Sequence, residues 1–98
     1  MTESAVYRRV VAETCKEFNL TMHELRSPRR NDDLMLARQV LTLLLCEFTD
    51  MTNDEIRECL NRKGKNMAIY YRKVIKEAIS VDTNLSARVD KIKKAVRI

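Results

Sequence analysis

Between residues 34 and 48 the chain reads Leu34-Met-Leu-Ala-Arg-Gln-Val-Leu-Thr-Leu-Leu-Leu-Cys-Glu-Phe48. Rolled into a helix, this stretch carries apolar side chains on nearly every side, interrupted mainly by Arg38, Gln39, Thr42 and Glu47. Such a helix has no wide polar stripe to turn to water, so it must be the buried centre of a small domain with other helices packed around it. Asn31 and Asp32 stand where its cap belongs, and Asp32 and Asp33 suit the positive end of the helix dipole. The leucines are structural and carry no message about function. With 98 residues, taken as one domain 1–98, the chain can bury a modest core without metals or disulfides. It has one glycine and one proline and is rich in strong helix formers, which makes the expected class all-α, a small helical bundle.

The flanking segments supply the packing partners. Residues 4–18 form an amphipathic helix with Val6, Tyr7, Val10, Val11, Cys15 and Phe18 inward and Ser4 as its N-cap. Thr21 with Glu24 has capping-box spacing and opens a very short helix over 22–25. Arg26-Ser-Pro-Arg-Arg30 follows, extended at Ser27 because a proline comes next. Its three arginines read either as a solvated connection or as an arm for a DNA minor groove, where negative potential favours arginine. Near the C-terminus, 80–84 reads as a loop and 84–96 as a helix. Leu85, Val89, Ile92 and Val96 face inward there, and Arg88, Lys91, Lys93, Lys94 and Arg97 face outward.

Residues 52–79 have the outline of a helix-turn-helix. Thr52 with Glu55 is a second capping box. Gly64, the only glycine, falls in the turn, where a left-handed conformation costs it least. Asn66 then caps a second helix over 66–79. Met67, Tyr70, Tyr71, Val74, Ile75 and Ala78 are spaced to share the core-facing side, leaving Lys65, Ala68, Ile69, Arg72, Lys73 and Lys76 on the other. From Arg62 to Lys76 there are six basic residues and no acidic one. A solvated face normally mixes both signs of charge. A one-signed face suits a recognition helix lying against a polyanion.

The net charge of +5 also favours an anionic partner. Cys15, Cys46 and Cys59 lack Cys-x-x-Cys spacing and read as small buried hydrophobes in a reducing cytoplasm, not as a metal site. His23 has no nucleophile or carboxylate at a useful spacing, and no set of residues looks catalytic, so no enzyme and no cofactor is expected. No run approaches the roughly 18 apolar residues of a membrane span. The expectation is a cytoplasmic, nucleoid-associated protein.

Taken in order, Val11-Ala-Glu13, Arg29-Arg30, Leu36-Ala-Arg-Gln39, Glu47-Phe-Thr-Asp50 and Thr52-Asn-Asp-Glu-Ile56 resemble the C-terminal DNA-binding domain of the bacterial replication initiator DnaA. The resemblance covers about residues 10–76 and implies a Trp-repressor-like bundle around the helix-turn-helix. It implies that Arg29 or Arg30 enters a minor groove. Thr52, Asn53 and Asp54 would start the first motif helix at a phosphate, and Lys65, Asn66, Ile69 and Arg72 would face bases or backbone. Asparagine pairs with adenine, arginine or lysine with guanine, and Ile69 suits a thymine methyl. Lys63 and Lys73, from the basic run, complete the candidate DNA-binding set.

The chain departs from that family where its Gly-Arg-Asp-His-Thr-Thr signature belongs, since this sequence has Arg62-Lys-Gly-Lys-Asn-Met67. The usual initiator box is therefore not the expected target. There is no Gly-x-x-x-x-Gly-Lys-Ser/Thr phosphate loop, so these 98 residues hold no site of that kind for ATP. The expected role is a stand-alone binder of double-stranded DNA, a bacterial or phage regulator of replication or transcription, monomeric or homodimeric. The alternative is a protein-interaction module of the same fold, with a partner such as a replication protein.

Overall fold

The computed structural model describes residues 3–97, so the ends of the 1–98 span lie outside the described residues. Six helices follow one another: α1 Glu3–Phe18, α2 Met22–Arg26, α3 Asp32–Phe48, α4 Asn53–Cys59, α5 Met67–Val81 and α6 Thr83–Arg97. No strand occurs among the described residues. As its composition requires, α3 is the hub. α1 and α5 pack along it, α2 and α4 also pack against it, and α6 lies against α1 and α5. Val40, Leu41, Leu44 and Leu45 of α3 are fully buried, together with Val10, Leu25, Ile56 and Ile75 from the surrounding helices and Leu60 at the end of α4. Each such side chain contributes about 1.5–3 kcal/mol by leaving water.

Helix ends follow local chemistry. Asn31 caps α3, its Oδ1 accepting from the Leu34 N–H at 2.9 Å. Both expected capping boxes form, Thr21 with Glu24 and Thr52 with Glu55. Ser4 lies inside α1 instead of at its N-cap, because the helix already includes Glu3. The left-handed residue of the helix-turn-helix is Asn61 (φ 55°), not Gly64, whose φ is not positive. Asn61 stands just past α4. Its N–H bonds to the Glu58 carbonyl and that of Arg62 to the Arg57 carbonyl, which is a Schellman end. Asn19 (φ 53°) ends α1 in the same way, with Leu20 bonding back to Cys15.

Three further expectations are corrected. The 80–84 loop shrinks to Asp82. Its N–H closes α5 on the Ala78 carbonyl at 3.0 Å, and its carboxylate caps α6 by accepting from Leu85 N–H at 3.1 Å. On α5, Tyr71 and Ile75 are buried as expected, but Ala68, expected outside, is buried and Tyr70, expected inside, is exposed. Among the cysteines, Cys15 and Cys59 are half-buried against the core, but Cys46 is exposed.

Two of the polar interruptions on α3, Arg38 and Thr42, are fully buried. Thr42 satisfies its hydroxyl on the Arg38 carbonyl one turn back, at 2.8 Å. Arg38 reaches out of the helix to the last turn of α2 and the residue that follows it. Its Nε donates to the Leu25 carbonyl at 2.8 Å and its Nη2 to the Ser27 carbonyl at 2.8 Å. Burial, with the charges of Arg62 and Arg30 nearby, pushes the guanidinium below its usual pKa, although Tyr71 works the other way. Arginine still stays charged at any ordinary pH. A buried charge is tolerable when its donors are satisfied, and here backbone carbonyls satisfy them.

Candidate nucleic-acid interface

The basic loop 26–30 and the helix-turn-helix are bound together by side chains that grip backbone. Arg26 Nη1 donates to the Cys59 carbonyl at 2.6 Å and to the Glu58 carbonyl at 3.2 Å, placing a cation on the negative end of α4. Asn61 Nδ2 returns a hydrogen bond to the Arg26 carbonyl at 3.3 Å. Arg62 spans the junction, its Nε on the Leu60 carbonyl at 3.0 Å and its Nη2 on the Ser27 carbonyl. The Ser27 carbonyl thus takes donors from both Arg38 and Arg62. Local pattern did not reveal this junction, because the partners that join its separate segments are 11 to 35 residues apart in sequence. The one available signal was an arginine standing in an otherwise apolar helix.

The junction places Arg30 beside the turn. One groove, about 390 Å³, is lined by Arg26, Pro28, Arg30, Asn61, Arg62 and Lys63. A neighbouring groove of about 430 Å³ runs past Arg30, Met35, Arg62, Lys63 and Gly64 to Met67 and Tyr71. Neither wall includes a carboxylate.

Of the candidate residues, Arg29, Arg30, Lys63, Lys65, Asn66, Ile69 and Lys73 are exposed. Asn66 opens α5 but makes no side-chain cap hydrogen bond. Thr52 is exposed at the start of α4, with its hydroxyl accepting from the Glu55 N–H at 3.1 Å. Arg72 and Asn53 are half-buried and bond to each other. Arg72 Nη1 donates to Asn53 Oδ1 at 2.9 Å and to Cys46 Sγ at 2.8 Å. Arg72 therefore ties α5 to the start of α4 and to α3.

The two basic helices differ in how their charge is balanced. On α6, Arg88 and Lys91 pair with Glu17 at 3.0 and 3.3 Å, and Lys93 pairs with Glu47 at 3.4 Å. Arg97 lies over the Phe48 ring, 5.6 Å from its centroid. Among the described residues, no ion pair involves Lys63, Lys65, Lys73 or Lys76. All four are exposed, on a surface that α6 leaves uncovered. No cluster of three metal-ligating side chains occurs among the described residues, and no helix is long and apolar enough to cross a membrane.

These features define an all-α helix-turn-helix domain whose second motif helix presents an unbalanced positive face. The chain belongs to the bacterial DnaA protein helix-turn-helix family, whose model matches residues 7–75. It is similar to chromosomal replication initiator proteins DnaA. It is 25% identical over 89 residues to that of Campylobacter jejuni subsp. doylei, covering 91% of this chain and 20% of that protein. Identity is 25% over 96 residues to that of Caldanaerobacter subterraneus subsp. tengcongensis, covering 98% and 21%. It is 28% over 82 residues to that of Streptococcus agalactiae serotype Ia, covering 84% and 18%. The chain spans about a fifth of the length of these relatives.

Proposed function

We propose that this chain, acting as one domain, binds double-stranded DNA. The start of α5 lies in the major groove, and the 26–30 loop reaches along the backbone into the adjoining minor groove. Arg29 and Arg30 are its loop contacts. Lys63, Lys65 and Lys73 meet phosphates, and Asn66 and Ile69 meet bases. Thr52 and Asn53 bring the start of α4 to the backbone, and Asn53 together with Arg72 sets the angle between the two motif helices. The observation that carries this reading is the exposed, unpaired lysine face of α5, set against an α6 whose Arg88, Lys91 and Lys93 pair with carboxylates of other helices. A charge pattern without internal partners costs self-repulsion, which a polyanion relieves.

The role is binding, not catalysis. The similarity to replication initiators makes control of replication or of transcription from nucleoid DNA in the cytoplasm the fitting process. The test is titration of random-sequence duplex DNA at several salt concentrations. About five phosphate contacts give a log–log slope near −4.5. A slope near zero, or no association in dilute buffer, rejects the reading.

A further inference from the structure

Among the described residues, the large hydrophobic side chains left exposed are Ile69 (49%), Tyr70 (62%) and Val81. A single exposed apolar residue needs no explanation. Ile69 and Tyr70, however, are adjacent on α5, one turn after Asn66 and one turn before Lys73, so the four side chains form a single patch. The core does not claim the pair, since Ala68, Tyr71 and Ile75 fill the buried side of the helix. The tilted contact of Tyr70 with Tyr71, with centroids 6.4 Å apart, sets the outer ring against a buried one.

What the patch lacks is equally informative. Guanine is read by arginine or lysine, and the guanidinium fork is the group that fits both of its acceptors in a fixed geometry. The one guanidinium on α5, Arg72, is half-buried and committed to Asn53 and Cys46. The groups left facing outward are an amide, a branched aliphatic chain, an aromatic ring and a lysine. In the major groove only thymine presents a methyl group, and its partner adenine presents the donor–acceptor edge that an asparagine amide matches.

We propose that α5 reads A·T base pairs largely through thymine methyl groups. Ile69 and Tyr70 form the apolar contact, and Asn66 takes the adjacent adenine. This rests on the reading of the same face as a duplex-DNA surface. Tyr70 is then a specificity-determining residue, and the flanking lysines supply affinity without sequence preference.

The experiment selects bound duplexes from a random library, then compares the selected duplex with the same duplex carrying deoxyuridine for thymine, which removes only the methyl groups. The expected result is a selected core rich in A·T pairs and a loss of about fourfold in affinity per contacted methyl, the factor that burying one such group is worth. In the Ile69→Ala/Tyr70→Ala variant, thymine and deoxyuridine duplexes bind alike and the salt slope is unchanged. Tyr70→Phe keeps the discrimination. A melting curve on each variant separates lost reading from lost folding. Equal binding of both duplexes by the unmodified protein, or no selected sequence, overturns the proposal and leaves DNA binding standing. Absence of duplex binding at every salt concentration overturns both. If the double variant binds and discriminates as well as the parent chain, the patch serves something other than DNA and the proposal is wrong.

Discussion

Asn61 holds a left-handed conformation at the end of α4, with its side-chain amide on the Arg26 carbonyl. Alanine there keeps a Cβ in that conformation but loses the amide that offsets its strain, at a cost of about 1–2 kcal/mol, and glycine, which has no Cβ, recovers the backbone part of the loss. Gly64 is different, because an added Cβ meets only Met67 Cβ at 3.8 Å, an ordinary contact. Gly64→Ala is therefore expected to change stability by less than about 0.5 kcal/mol. Urea denaturation of Asn61→Ala, Asn61→Gly and Gly64→Ala checks the ranking, and greater damage from Gly64→Ala than from Asn61→Ala would reverse it. Sequence favours the glycine because glycine is the default left-handed residue. The position shifts to Asn61 once α4 is counted to its true end. Of the candidate site, the lysines were legible because charge and spacing are local properties. The Arg72–Asn53 bond was not, because it joins residues 19 apart that only folding brings together.

At the scale of elements, the buried Arg38 fixes the path of the chain between α2 and α3. Arg38→Met keeps length and apolar bulk but removes the donors held by the Leu25 and Ser27 carbonyls. It is expected to cost about 2–3 kcal/mol and to weaken DNA binding by unmooring Arg29 and Arg30. Denaturation and DNA titration of the variant measure both effects, and full stability with full affinity would show that the loop does not depend on α3. All six helices were readable from apolar period and caps. Where the inward stripe of α5 ends was not, because Ala68 and Tyr70 lie on its two edges and the helical period admits either. Bulk breaks the tie, since alanine at 68 lets α5 approach the neighbouring helices more closely than tyrosine at 70 would.

Across the whole molecule, Glu17 ties α1 to α6 through Arg88 and Lys91. Hydrogen bonding from Arg88 comes first and burial opposes it. With Lys91 and both charges added, the Glu17 carboxyl is held below its usual pKa. A lowered folded-state pKa stabilises the fold above the unfolded value of about 4.3 and loses that contribution as pH falls through the lowered value. Glu17→Gln is therefore expected to be less stable than the parent chain at neutral pH and to show a shallower loss on acidification. Urea midpoints across the acid range test this, and parallel curves would assign the acid sensitivity elsewhere.

Three cations of α6 pair with carboxylates of other helices while the lysines of the α5 face pair with none, and one comparison tests this contrast most directly. Lys65→Ala/Lys73→Ala and Lys91→Ala/Lys93→Ala remove the same charge from the α5 face and from the paired cations of α6. The first pair is expected to reduce the magnitude of the salt slope for duplex binding by about 1.8 and to lower affinity accordingly, while the second leaves the slope nearly unchanged. Equal losses from the two pairs would mean that DNA meets only the net charge of the protein, and the assignment of α5 as the reading helix would be wrong.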